Sequence, residues 1–175
     1  MSSVQKLAGR ALRRAARIID PPQVTKIISD DYLAWLGFAN AGMLERGNLY
    51  SIDYAMGHLP SSAPILEIGS FCGLSTNVIS HFKSKYGVRN PLITCDKWEF
   101  EGADTCLKIA DSPIYFSDYK KFVRESYIRN IQMFSQDDLP YTFEMTADEL
   151  FAAWRASWMC WDGPGLWEDR LASAI

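Results

Sequence analysis

A chain of 175 residues, 48% of them hydrophobic, can bury the core of one domain and scarcely of two. A net charge of −3, with no basic, aromatic-interleaved patch, argues against a dedicated nucleic-acid binder. No apolar run reaches the roughly 20 residues that cross a bilayer. The four cysteines, Cys72, Cys95, Cys106 and Cys160, have neither the CxxC spacing of a zinc site nor the density of a disulfide framework. A reduced, cytoplasmic compartment is the simple expectation.

Residues 1–20 carry Lys6, Arg10, Arg13, Arg14 and Arg17, with Leu7, Leu12, Ala15 and Ile18 at helical spacing. They read as a basic amphipathic helix, either a membrane-surface or transit-like segment or a solvated lead into the domain. Pro21-Pro22 ends it. Residues 21–63 predict a helical cap: one helix opening at Ser29 in SDDYLAWLGFANAGML, another in LYSIDYAMGHL closing near Gly57, then the turn cluster LPSSAP. PILEIG is a short, continuously apolar strand of the kind buried on both faces. A helix over 74–86 follows and stops at Gly87. PLITCD is a second buried strand ending at Asp96. Residues 97–116 predict a long loop or lid, and SDYKKFVRESYIRNIQMF a helix capped by Ser117. YTFEM is a third strand and TADELFAAW starts a last helix. Strands alternating with helices imply an α/β fold, a parallel sheet with helices on both faces.

The chemistry centres on PILEIGSFCGLSTNVISHF, residues 64–82. A parallel strand entering a helix through a glycine turn aims backbone N–H groups and the helix dipole at whatever lies above the strand end. Gly69 and Gly73 remove Cβ atoms that would hold a ligand off the backbone. Ser75 and Thr76 add donors suited to a carboxylate. Asp96, ending the next strand, stands where doubly wound folds meet a ribose diol. The pattern describes a nucleoside-containing ligand across the carboxyl ends of the strands. Dinucleotide oxidoreductases want G-x-G-x-x-G with a pyrophosphate on the helix N-terminus. Here the spacing is G-x-x-x-G and Glu67 stands just before it. An acid repels a pyrophosphate but attracts an ammonium or sulfonium group, which favours S-adenosyl-L-methionine.

ILEIGSFCGLST also resembles motif I of class I S-adenosylmethionine-dependent methyltransferases, closest to the small O-methyltransferase-like branch. The likeness runs from about residue 22 to 157, through AGMLERGNLYSIDYAM, TCDKWEFEGA and TADELFAAW. It implies a Rossmann-like methyltransferase fold and methyl transfer to a small-molecule acceptor, with an oxygen as the acceptor atom that branch suggests. It further implies that Glu67, Gly69, Ser70, Phe71 and Gly73 line the methionyl end, with Ser75 on the carboxylate. Asp96 would take the ribose hydroxyls, with Lys97 and Trp98 near the adenine. Thr146, Ala147 and Asp148 would contact the adenine edge, and Gly47 and Asn48 would cap the site.

Other roles are open at several of these positions. Glu67 is also a natural anion for the following helix, and Asp96 a loop cap. Trp98 and Phe100 are equally core aromatics, Cys72 a small packed residue, and His58 and His81 structural. The pairs Asp30-Asp31 and Asp137-Asp138 read as helix-start and loop charges.

The stretch 158–175 fits no period, and its tryptophan and methionine codons allow little freedom in back-translation. Trp-Met-Cys-Trp-Asp-Gly is UGG AUG UGY UGG GAY GGN; two bases in, it reads Asp-Val-Leu-Gly. The later codons permit Leu-Gly-Gly-Pro-Ile-Ser-Phe-Gly-Tyr, which is like the family's lead into its fourth strand. The expectation is a frameshift near Ser157, leaving residues 64–157 as the cofactor-binding half with strands 1–3 only. In the family's strand order, 3-2-1-4-5-7-6, strand 1 would then be an exposed edge open to self-association. No catalytic residue and no metal ligand is assigned, and a truncated, inactive binding remnant is the alternative to a working enzyme.

Overall fold

The structure, a computed structural model, describes residues 30–99 and 106–158. The amphipathic reading of residues 1–20, Phe100 and the tail from 159 onward fall outside them. Two helices come first, α1 (Asp31–Ala39) and α2 (Arg46–Gly57), followed by β1 (Ile65–Ile68), α3 (Leu74–Tyr86), β2 (Leu92–Cys95), α4 (Phe116–Phe134), β3 (Tyr141–Phe143) and α5 (Ala147–Trp158). The three strands form one parallel sheet in the order β1-β2-β3. This is the α/β architecture expected. Trp158, expected to open the aperiodic tail, instead ends α5.

Helix boundaries follow local chemistry. Asp30 caps α1 by accepting the Leu33 N–H (3.1 Å), one residue after the expected Ser29. Gly87 ends α3 in the left-handed region at φ 65°, where its N–H reaches back to the last turn. The N-cap of α4 is Tyr115, two residues before the expected Ser117. Thr146 and Glu149 form a reciprocal capping box on α5: the threonine N–H and hydroxyl donate to the carboxylate, and the Glu149 N–H donates to Thr146 Oγ1.

Alternation along β2 assigns the two faces. Leu92 packs with Val78, Ile79 and Phe82 of α3 and with Leu33, Leu36 and Met56 of the N-terminal helices. Ile93 and Cys95 point the other way, to Phe143 and Leu150. Thr94, on the Leu92 face, meets the Tyr127 hydroxyl of α4 at 2.7 Å. Helices α3 and α4 therefore cover one face and α5 the other, so β2 is buried throughout, with Thr94 its one polar side chain. Neighbouring parallel strands also bring Gly69, Asp96 and Glu144 to the same end of the sheet, one residue past each strand.

Candidate functional site

The loop between β1 and α3 is held from four sides. Its first residue, Gly69, continues the ladder by donating to Cys95 O (2.9 Å). The Phe71 N–H donates to Asp96 Oδ2 (2.8 Å), and the Phe71 carbonyl accepts from Trp98 Nε1 (2.8 Å). The Cys72 carbonyl accepts two side-chain amides, Asn40 Nδ2 (2.9 Å) and Asn130 Nδ2 (2.8 Å). These ties keep Phe71 at φ 46°, a conformation that a bulky residue adopts only when its surroundings impose it. Gly73 has φ 88°, and a Cβ there would lie 3.2 Å from the Tyr127 ring. Glycine lets the loop turn left-handed while sitting directly on α4.

Glu67 projects from β1 toward the N-terminus of α3 and is buried. Its Oε2 accepts from Thr76 Oγ1 at 2.6 Å, but Oε1 is buried with no partner. Burial pushes its pKa above the usual carboxylate range, and the negative charge of Asp96 adds to the rise. The hydroxyls of Ser75, Thr76 and Ser70 oppose it, though only Thr76 closes a well-formed bond. Ser70 Oγ is itself buried and unpartnered. Two orphaned polar atoms thus lie at the end of β1 and in the loop that follows it, beside a helix whose first-turn amides have no intrahelical acceptor.

Asp96 acts here as a loop cap. One oxygen holds Phe71 and the other the Trp98 N–H (2.6 Å), and each keeps a lone pair for a further donor. The Trp98 ring lies in the core with Cys72, Val123, Tyr127 and Ile131, 5.2 Å from the Tyr127 ring. The ring is thus packed in the core, with its N–H held by the Phe71 carbonyl. Lys97 is exposed and paired with Glu99 (2.9 Å). Thr146 is engaged as the cap of α5; Ala147 and Asp148 follow it at the carboxyl end of the sheet.

Gly47 and Asn48 open α2 on the outside, and Asn48 Oδ1 accepts the Glu45 N–H (2.9 Å). The N-terminal segment that reaches the loop is instead Asn40–Gly42. Gly42 is so close to α3 that a Cβ would fall 2.3 Å from Leu74 Cβ. The fully buried Asn40 links outward through Asn77 Nδ2 (2.7 Å), and Asn77 Oδ1 accepts from Ser135 Oγ (2.6 Å). Sequence reasoning missed this relay; its one legible signal was an asparagine at the end of an apolar helix in FANAG.

Cys72 is packed, and burial pushes its thiol pKa up, which removes it as a nucleophile. His81, expected to lack a carboxylate, meets Asp30 at 2.8 Å from 51 residues away in sequence. Among the described residues no cluster of three metal-ligating side chains occurs. Neither protein-family models nor curated proteins give a match to this sequence.

Proposed function

We propose that the β1–α3 loop binds the amino-acid end of S-adenosylmethionine, and that the chain derives from a methyltransferase acting on a small acceptor. The observation that carries this is the buried, unpartnered Glu67 Oε1 beside a helix N-terminus. A buried acceptor without a donor costs about 1–3 kcal/mol, and an ammonium group removes that cost. The free N–H groups at the start of α3 and the Ser75 hydroxyl suit the neighbouring carboxylate. The open lone pairs on Asp96 suit a ribose diol. A pyrophosphate on the same amides would face Glu67, a repulsion of about 3–4 kcal/mol at contact distance near a surface, which disfavours a nicotinamide-dependent oxidoreductase.

When bound, the cofactor supplies an electrophilic methyl group. The residues of this chain orient it: Glu67 and the helix start fix the amino-acid end, and Asp96 fixes the sugar. Positioning of that kind is the main requirement of an in-line transfer.

Titration calorimetry of the full chain with S-adenosylhomocysteine and with NAD tests the assignment. Heat is expected from the first and none from the second. Tighter binding of NAD, or no binding of the homocysteine nucleoside, overturns it.

One observation favours the inactive remnant as a second reading. Strand β1 is at the edge of the sheet, with Ile68 49% exposed, so the loop has a strand on one side only among the described residues. Radiolabelled methyl transfer to a panel of small hydroxylated acceptors separates the two. Binding without turnover supports the remnant, and turnover the enzyme.

A further inference from the structure

A cleft lies toward the opposite end of α3 from the glycine loop. It holds about 370 Å³, within the range of small-molecule pockets. The second half of α3 and the turn after it form one wall, the turn that follows α4 another, and Tyr32 of α1 a third. Lys83, on the first wall, stands about 15 Å along the helix axis from Gly73. Two polar groups there have capacity to spare. Ser80 is 9% exposed, and its Oγ is buried with no partner among the described residues. Lys83 is 1% exposed, yet its ammonium has a single ion-pair partner among them, Asp138 Oδ2 at 2.6 Å. An ammonium has three protons to donate, and buried donors left unused are costly.

Charge on the walls selects the kind of ligand. Lys83 and Arg89 are balanced by Asp137 and Asp138, while His81 is held by Asp30 at 2.8 Å. The carboxyl ends of α3 and α4 also open on this space, at Gly87 and Ser135, and each brings partial negative charge. A plain anion meets those carbonyls and acids; a plain cation meets Lys83 and Arg89. A zwitterion satisfies both sets and leaves the filled cleft neutral. Tyr32, stacked on His81 at 4.8 Å, joins Phe134 and Val88 as the apolar part of the lining. We propose that this cleft binds a free α-amino acid with an apolar or aromatic side chain. The ligand carboxylate takes the Ser80 hydroxyl and the remaining protons of Lys83. Its ammonium takes Asp137 and the helix-end carbonyls, and its side chain lies on the apolar lining. No residue is shared with the glycine loop, so the proposal stands apart from the cofactor assignment.

The experiment is thermal melting of the full chain with L-phenylalanine, 3-phenylpropanoate and 2-phenylethylamine. The three carry the same ring with both charged groups, the carboxylate alone or the ammonium alone. L-Phenylalanine is expected to raise the melting temperature saturably, and each half-molecule to need at least tenfold more for the same shift. Ser80→Ala removes an unpartnered hydroxyl, so the free chain is expected to melt no lower than the original. The same variant is expected to weaken L-phenylalanine by about tenfold. Arg89→Gln, at an exposed position, is expected to weaken it by roughly fivefold. Three results overturn the proposal: no saturable shift with L-phenylalanine, an equal shift with 3-phenylpropanoate, or an unchanged response in both variants. The glycine loop is itself assigned an amino-acid end, so the melts are repeated with excess S-adenosylhomocysteine. The L-phenylalanine shift is expected to persist there. Competition between the two would put the amino acid at the loop and overturn the cleft while leaving the cofactor assignment intact.

Discussion

Burial sets the ionisation of Glu67 against the rest of the fold. Its carboxyl binds a proton more tightly folded than unfolded, so the native state carries more protons at any pH between the ordinary glutamate range and the raised value. Stability from this residue is therefore complete at acidic pH and declines as pH rises through that window. Glu67→Gln keeps the shape and deletes the charge. Its melting temperature is expected to exceed that of the original chain at neutral pH, with the gap closing on acidification. The ligand should show the opposite trend. An ammonium group favours the ionised carboxylate, so affinity for S-adenosylhomocysteine should rise with pH across the same window and be flat and weak in Glu67→Gln. Calorimetry and thermal melts over a pH series read both. A substitution that destabilises at every pH, or affinity that falls with pH, would mean that Glu67 is only a helix-start anion.

Elements are held to the loop by neutral amides, whose effect should not vary with pH. Asn77 lies within α3, fully buried, and bridges Asn40 at the end of α1 to Ser135 at the end of α4. Asn77→Ala strands the Asn40 Oδ1 and Ser135 Oγ atoms, and each orphan costs about 1–3 kcal/mol. A loss of about 3 kcal/mol is expected in urea unfolding, the same at weakly acidic and neutral pH. A loss below about 1 kcal/mol would mean that water replaces the amide. What the sequence made legible divides along the same line. The helix over 74–86, its Gly87 stop and the buried β2 run were readable because propensity, period and terminator all act within a few residues. The Asn40–Asn77 contact spans 37 residues and the Asn77–Ser135 contact 58, so no local pattern encodes them. Asp96 was legible as a strand-end acid, but its two backbone donors were not. Trp98 was legible as an aromatic beside the strand end, but its packing against Tyr127, 29 residues on, was not.

At the scale of the molecule, the sheet formed by the described residues stops at β1. The Ile65 and Gly69 N–H groups point to β2, donating to Pro91 O and Cys95 O, so the two-residue alternation turns the N–H and C=O of Leu66 and Ile68 outward. Ile68 adds an exposed apolar side chain to that open edge. Glu67 stands between them with its side chain buried against α3, so no charge guards the edge from its own strand. Two chains can pair β1 to β1 about a twofold axis, each supplying the same two residues. Ile68→Lys puts a cation at the centre of that contact and repels its own copy. Sedimentation velocity over a concentration series is expected to show association in the original chain and a monomer in Ile68→Lys. The same measurement on Phe38→Ser serves as the control, since α1 covers a different part of the surface. Association that survives Ile68→Lys but is lost with Phe38→Ser would move the contact from the strand edge to the helix face.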